Sequence, residues 1–335
     1  MTSLWCQDSI SSPSGKVTWA RNGKVRIAKP VGEAMRVPDD ILKCVGFIAE
    51  IVGEDSTGFT GDLCATGFFA TIPCESSELA GLRHTYFVTA KHVVTELKSR
   101  GAFLLLNAKG QGVIQSSKIT SDLWLFHPSD KTADVAAVPI SPGPDADVIG
   151  INSEYFGLPA RLKNLSIGIG DEVMSVGLFT AVPGTARNQP IIRYGNIAMI
   201  PVEQIQTDLG YADVFLVEAR SIGGMSGSPV FVRHTYYTKV KNPRGEYEPI
   251  YTNGPGITLL GLMHGHWDIK ESDLNKPSII QDRQRGVNFG VAIVVPAAKI
   301  YETLYSTDLV ASRKDLEQKT LRESIPGMDS IPRSA

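Results

Sequence analysis

The chain is divided into short apolar runs. A first series, CVGFIAEIVG, ATGFFATIP, TYFVTA, FLLLNA, DLWLF and DVAAVPI, lies between residues 44 and 140. A second series, EVMSVGLF, PIIRYGNIAMI, DVFLVEA, GSPVFVRH, ITLLGLMHG and FGVAIVV, lies between residues 172 and 295. The runs are rich in β-branched and aromatic residues and are bounded by Gly, Pro, Asn or Asp, the signature of strands. Helical periodicity is confined to HVVTELKSRG and to PAAKIYETLYS, where Pro296 suits a first helical position. Strands do not alternate with full helices, which argues against a parallel α/β sheet. Two clusters of about six strands, divided near residues 141–165, predict an all-β chain of paired antiparallel barrels or sandwiches.

The remaining segments read as accessories. Residues 1–40 are a polar, irregular lead-in, and 311–335 are expected to form a charged, loose tail. The stretches TYYTKVKNPRGEYEPIYTNGPG and WDIKESDLNKPSIIQDRQRG interrupt the second cluster and are long enough for rim loops. The formal net charge is −2, from 33 basic and 35 acidic residues with no basic block, so nucleic acid is not an expected partner. The N-terminus lacks a signal-peptide pattern and no run approaches a membrane span, so no membrane partner and a cytoplasmic location are expected. Four cysteines, Cys6, Cys44, Cys64 and Cys74, are too few to staple a chain of this length and match no zinc spacing.

Candidate chemistry gathers where runs end. In SIGGMSGSPVF, glycines flank Ser226 closely enough for backbone N–H groups to converge on one point. A hydroxyl needs a base beside it. Among six histidines, His92 in TYFVTAKHVV ends a strand and opens a short helix. In TADVAAVPI, Asp134 stands at the mouth of an apolar strand, where a carboxylate needs hydrogen-bond partners. Asp122 and Asp130 lie in polar turns and are weaker candidates. The order His92, Asp134, Ser226 differs from the Ser, acid, His order of α/β-hydrolases, and residue 228 is Ser where their elbow requires Gly.

TAKHVV, ADVAAVPI and GGMSGSPVF together resemble the three signature blocks of trypsin/chymotrypsin-like serine proteases. ATGFFAT, LLGLMHGHW and NFGVAIVVPAAKI resemble supporting strands and the closing helix, so the likeness spans roughly residues 44–308. It implies two antiparallel six-stranded β-barrels of chymotrypsin-like fold with a short C-terminal helix. The peptidase domain would run over 41–310, with a first barrel at about 44–145 and a second at about 165–308. It further implies a serine endopeptidase acting on protein or peptide substrates; because an unrestrained protease would be hazardous in the cytoplasm, restraint by a regulatory partner, loop disorder or a narrow substrate range is expected. Ser226 would be the nucleophile, His92 the base and Asp134 its orienting acid, with Gly224 and Ser226 N–H groups forming the oxyanion hole.

Departures from the family pattern narrow the resemblance. Met225 stands where digestive members carry an Asp, so activation by a new N-terminal ammonium is unavailable, and the bacterial quality-control branch is the nearer likeness. The residues after 308 are too few for a PDZ domain, so none is expected. Ser228 replaces the usual second glycine. The resemblance places Arg220 at the base of the specificity pocket, with His264 and Gly265 along the cleft strand. Arg220 has a plainer reading too, pairing with Glu218 or reaching solvent. His264 and His266 share one strand face without a visible third ligand, so no metal and no cofactor are expected. The alternative function is an inert protease-fold module that holds peptide segments in the cleft by β-augmentation.

Overall fold

The structure is a computed structural model that describes residues 37–56, 58–97, 101–207, 210–219, 223–233, 238–241, 247–250, 257–269 and 287–324. The first half comprises β1 (Val45–Asp55), β2 (Gly58–Pro73), β3 (Arg83–Thr89), α1 (Lys91–Glu96), β4 (Ala102–Asn107), β5 (Val113–Gln115), β6 (Leu125–Phe126), β7 (Ala136–Pro139) and β8 (Ile151–Asn152). Seven of these strands form the path β5-β4-β1-β2-β3-β7-β6, and β8 pairs with β2 in parallel.

After α2 (Pro159–Asn164), the second half comprises β9 (Glu172–Gly177), β10 (Ile191–Met199), β11 (Ile205–Thr207), β12 (Gly210–Ala212), β13 (Phe215–Glu218) and β14 (Pro229–Arg233). It continues through β15 (Thr238–Lys241), β16 (Tyr247–Ile250), β17 (Ile257–Ile269) and β18 (Val287–Pro296). Strands β10-β13-β18-β17-β14-β9 close into a barrel, while β11–β12 and β15–β16 are two-stranded ribbons. Two helices end the described chain, α3 (Ala297–Leu304) and α4 (Thr307–Ser324).

Each of the twelve apolar runs contains a strand, although in DLWLF only Leu125 and Phe126 belong to it, and the second series supplies the six barrel strands one for one. The first half departs from expectation. It is an eight-stranded sheet, and among the described residues its pairing path does not close, so only one of the two expected barrels is present as a closed ring. Strand counting cannot reveal closure, because closure depends on whether the path's two end strands meet. The first of the two polar stretches contains the β15–β16 ribbon rather than only a loop. Pro296 ends β18 and sits at the N-cap of α3, one residue before the helix begins. The loose tail expected from residue 311 is instead helical as far as Ser324. Among the described residues no helix is long and apolar enough to cross a membrane.

Burial along the strands produces two large apolar clusters and two small ones. One fills the barrel, with Val173, Val217, Val230, Leu260 and Val294 among its members. The larger cluster joins Phe68, Phe69 and Phe87 of the sheet to Met174, Phe231 and Leu262 of the barrel and to Ile300 of α3. The two halves therefore share a continuous core, and residues at their junction are held from both sides.

Candidate active site

His92 is the second residue of α1, directly after β3. Ala90 at the helix N-cap offers no side-chain acceptor, and Asp134 supplies one from the loop before β7. Asp134 Oδ1 accepts the His92 backbone N–H at 2.8 Å, and Oδ2 meets His92 Nδ1 at 2.7 Å. One carboxylate thus caps the helix start and fixes the ring. Asp134 is 1% exposed, so leaving it unpaired would be costly.

The loop that carries Asp134 is itself tied down. Asp130 Oδ1 accepts from the Thr132 N–H, the Thr132 hydroxyl and the Ala133 N–H, at 2.9, 2.7 and 3.2 Å. Its other oxygen receives Lys299 Nζ of α3 at 2.8 Å. Burial opposes ionisation of Asp130, but these bonds outweigh it and hold its carboxyl below the usual range. His127 reinforces the link, with Nε2 on Glu302 of α3 at 2.8 Å and Nδ1 accepting the Asp130 N–H at 2.9 Å. Asp130, weighed as a rival acid in the sequence, supports the loop. Asp122 lies in the separate 3-10 turn Ser121–Leu123, away from this loop.

A second imidazole shares the carboxylate. His264 Nδ1 lies 2.5 Å from Asp134 Oδ2, and the His92 and His264 rings stand edge to face with centroids 5.0 Å apart. The pairing of β17 with β18 slips between Met263 and Gly265, and such a bulge re-aims a side chain. Burial would raise the Asp134 carboxyl, but hydrogen bonds from His264 and His92 more than offset it and hold it well below the carboxylate range. With Asp134 ionised, both rings must present Nδ1–H, which leaves each Nε2 free to accept. Burial also opposes protonation of His92, yet the hydrogen bond and charge of Asp134 prevail and raise its pKa above the ordinary value.

Ser226 lies in the turn between β13 and β14, half-buried. Its carbonyl accepts the Thr66 N–H of β2 at 3.1 Å, which fastens the turn to the first half. Gly227 has φ +80, and a Cβ there would strike the Thr66 carbonyl and the Thr89 hydroxyl, so the turn seats this closely only with glycine. Gly224 has φ +93, and its carbonyl accepts the Thr66 hydroxyl at 2.7 Å. Among the described residues, the N–H groups of Gly224 and Ser226 have no hydrogen-bond acceptor. The Ser226 hydroxyl donates to the His264 carbonyl at 3.2 Å. Met225 is fully buried in the barrel cluster, an apolar plug in place of a charge. Ser228, also fully buried, fits beside Gly177, where a Cβ would collide with its hydroxyl.

The geometry therefore brings His92, Asp134, Ser226 and His264 to the junction of the two halves. Gly265 follows on β17, where an added Cβ would meet no atom of the described residues within 4 Å. His266 is exposed and takes no part in the cluster, and the groups beside His264 Nδ1 are Asp134 and His92 instead. Arg220 and His234 lie outside the described residues.

Sequence reasoning missed Thr66. Its fully buried hydroxyl donates to the Gly224 carbonyl and accepts the Leu178 N–H at 2.8 Å, linking β2, the Ser226 turn and the end of β9. The available signal was a polar residue between Ala65 and Gly67 in an otherwise apolar run.

No protein-family model matches the sequence, and no curated protein matches it. Similar solved structures include the MamO protease domain from Magnetospirillum magneticum in its apo form. The identity is 12%, over 78% of this chain and 96% of that one, with a TM-score of 0.44. An inactive serine-to-alanine mutant of Rv3671c from M. tuberculosis H37Rv is similar at 14% identity, over 83% and 94%, with a TM-score of 0.38. Deg5 is similar at 11% identity, over 78% and 88%, with a TM-score of 0.39.

Proposed function

We propose that this chain is a trypsin-like serine endopeptidase that cuts protein or peptide substrates through an acyl-enzyme. The observation that carries the reading is the doubly bonded His92–Asp134 pair at the same junction as the Ser226 turn. In this reading the Ser226 hydroxyl turns from the His264 carbonyl to His92 Nε2, which takes its proton as the oxygen attacks the scissile carbonyl. Catalytic hydrogen bonds of this kind are often loose before substrate binds. Asp134 holds Nδ1–H and stabilises the imidazolium, which then protonates the leaving amine. The unoccupied N–H groups of Gly224 and Ser226 receive the oxyanion. Water hydrolyses the ester by the same proton path. The His264 carbonyl, released by Ser226, becomes an acceptor for the substrate backbone, and Arg220 is the proposed pocket base.

Fluorophosphonate labelling tests the reading directly, because it requires both an activated hydroxyl and an oxyanion site. The wild-type chain should be labelled on one serine, and Ser226→Ala should lose the label and about 10⁴-fold or more in turnover. Labelling retained in Ser226→Ala and lost in Ser228→Ala would assign the wrong serine.

The inert peptide-holding module is the second reading. It is favoured by the engagement of the Ser226 hydroxyl with His264 and by the sharing of one Asp134 oxygen between two rings. Peptide binding without any labelling would select it.

A further inference from the structure

At the opposite end of β3 from His92, three metal-ligating side chains from three elements meet. Cys74 directly follows β2, His84 is the second residue of β3, and Glu317 projects from α4. His84 Nε2 lies 2.8 Å from Glu317 Oε1 and 3.7 Å from Cys74 Sγ, and all three ligating atoms lie within 4.8 Å of one another. His84 and Glu317 are buried and Cys74 is half-buried. Nothing in the proposed peptidase chemistry uses them.

Without a metal the cluster closes on Glu317, whose carboxylate is hydrogen-bonded by both the His84 ring and the Cys74 thiol. An imidazole Nε2 offers one proton or one lone pair, not both. If it donates to Glu317, the Cys74 thiol turns to the same carboxylate, so all three groups converge on one point. A single cation among the three atoms would satisfy the imidazole lone pair, a thiolate and the carboxylate together. Zinc–ligand lengths of about 2.0–2.3 Å place tetrahedral ligand atoms about 3.3–3.7 Å apart. The Nε2–Sγ distance already meets this, and the Nε2–Oε1 distance needs to open by about half an ångström.

The ligand types narrow the ion. Thiolate and carboxylate supply two negative charges, which balance a divalent cation, and a mixed S, N, O set favours zinc over magnesium or calcium. The carboxylate is pre-positioned, since Oε1 accepts the Glu75 N–H at 3.1 Å and Oε2 the Ser76 N–H at 2.9 Å. Outer hydrogen bonds of this kind orient ligands for a metal. The half-exposed side of Cys74 leaves room for water as a fourth ligand.

We propose that Cys74, His84 and Glu317 bind one zinc-class divalent cation, which clamps α4 to the β2–β3 hairpin. Binding forms three metal–ligand bonds and breaks the Cys74 S–H bond, whose proton leaves to solvent. The His84 ring carries its proton on Nδ1, and no electron is transferred.

The test uses the full chain, stripped of metal and titrated with Co²⁺, with Zn²⁺ as competitor. Wild type and a Cys6→Ser/Cys64→Ser form should both take one Co²⁺ with a thiolate-to-cobalt charge-transfer band that Zn²⁺ abolishes. In that double-serine background, Cys74→Ser, a near-isosteric change, should lose the band, as should Glu317→Gln. Zn²⁺ should raise the thermal midpoint of the parent and not of Cys74→Ser. Absence of the band in the parent, or its persistence in Cys74→Ser, overturns the assignment. Normal circular dichroism of Cys74→Ser separates lost ligation from lost fold.

Discussion

Two histidines of this chain lean on buried carboxylates at nearly equal distances, His92 on Asp134 at 2.7 Å and His84 on Glu317 at 2.8 Å. Their pKa values nevertheless move in opposite directions. For His84, burial outweighs the hydrogen bond to Glu317, Arg313 adds repulsion, and the pKa falls below the ordinary imidazole value. For His92, burial is overcome by Asp134, and the pKa rises. The surrounding charges separate the two rings: Arg313 repels a charged His84, whereas Glu96 adds to the pull of Asp134 at His92. A carboxylate neighbour alone does not make a base that titrates upward. The ring must also stand clear of a competing cation such as Arg313.

The comparison is broken most sharply by neutralising each carboxylate in turn. Asp134→Asn should leave the fold in place and lower turnover by about 10⁴-fold, because an amide can hold the wrong His92 tautomer. Glu317→Gln should leave turnover unchanged and reduce stability by about 1–3 kcal/mol, the cost of disturbing buried hydrogen bonds. Steady-state kinetics beside denaturant unfolding separates the two. Equal loss of turnover in both variants would remove the distinction.

A smaller effect is expected from Thr66, which touches neither ring. Thr66→Val keeps the side-chain shape but leaves the Gly224 carbonyl and Leu178 N–H without their buried partner. Stability should fall by about 1–3 kcal/mol. Turnover should drop by about tenfold, less than the 10²–10³ lost with a whole oxyanion donor. Thr66→Ser, which retains the hydroxyl, should restore most of both.

The smallest effect is a displacement of the pH profile. The neutral His92 ring is the base in the proposed reaction, so the rate should rise with pH, with a midpoint above 6.5. The sign for stability is the reverse. The raised pKa contributes stability that is fully present below the unfolded value and is lost as pH rises through the folded one. His264 donates to the same Asp134 oxygen and dilutes its charge. His264→Ala should therefore move the kinetic midpoint upward by about one unit or less, the equivalent of one hydrogen bond. A downward move would show that His264 supports the imidazolium instead.

Strands were readable in the sequence wherever burial enforces an apolar pattern, as in FLLLNA of β4 and EVMSVG of β9. Short pairings such as β8 and β12 were not, since two or three residues carry no period and are set by their neighbours. The end of the chain was misread for a different reason. The buried positions of α4 include Arg313 and Glu317, so its hidden face looks polar and mimics a solvated tail. His92, Asp134 and Ser226 stood out because each interrupts a strand end. The part of His264 at Asp134 was invisible, because a bulge turns its ring and no local pattern announces a bulge. Cys74, His84 and Glu317 share no spacing, since the last lies 233 residues beyond the histidine.

The buried face of α4 has a mechanical consequence. Leu309, Arg313 and Glu317 follow one another at intervals of one helical turn. Each fits a different receptor on the body of the molecule. Arg313 reaches the Leu304 carbonyl and the Tyr86 hydroxyl, and Glu317 reaches the Glu75 and Ser76 amides. An apolar helix could slide along its groove and still bury the same area. Sliding α4 by one turn would instead present a guanidinium to the amide donors in one direction, or a carboxylate to a carbonyl in the other. The helix is keyed rather than greased: it seats at one depth or leaves its charges unmet.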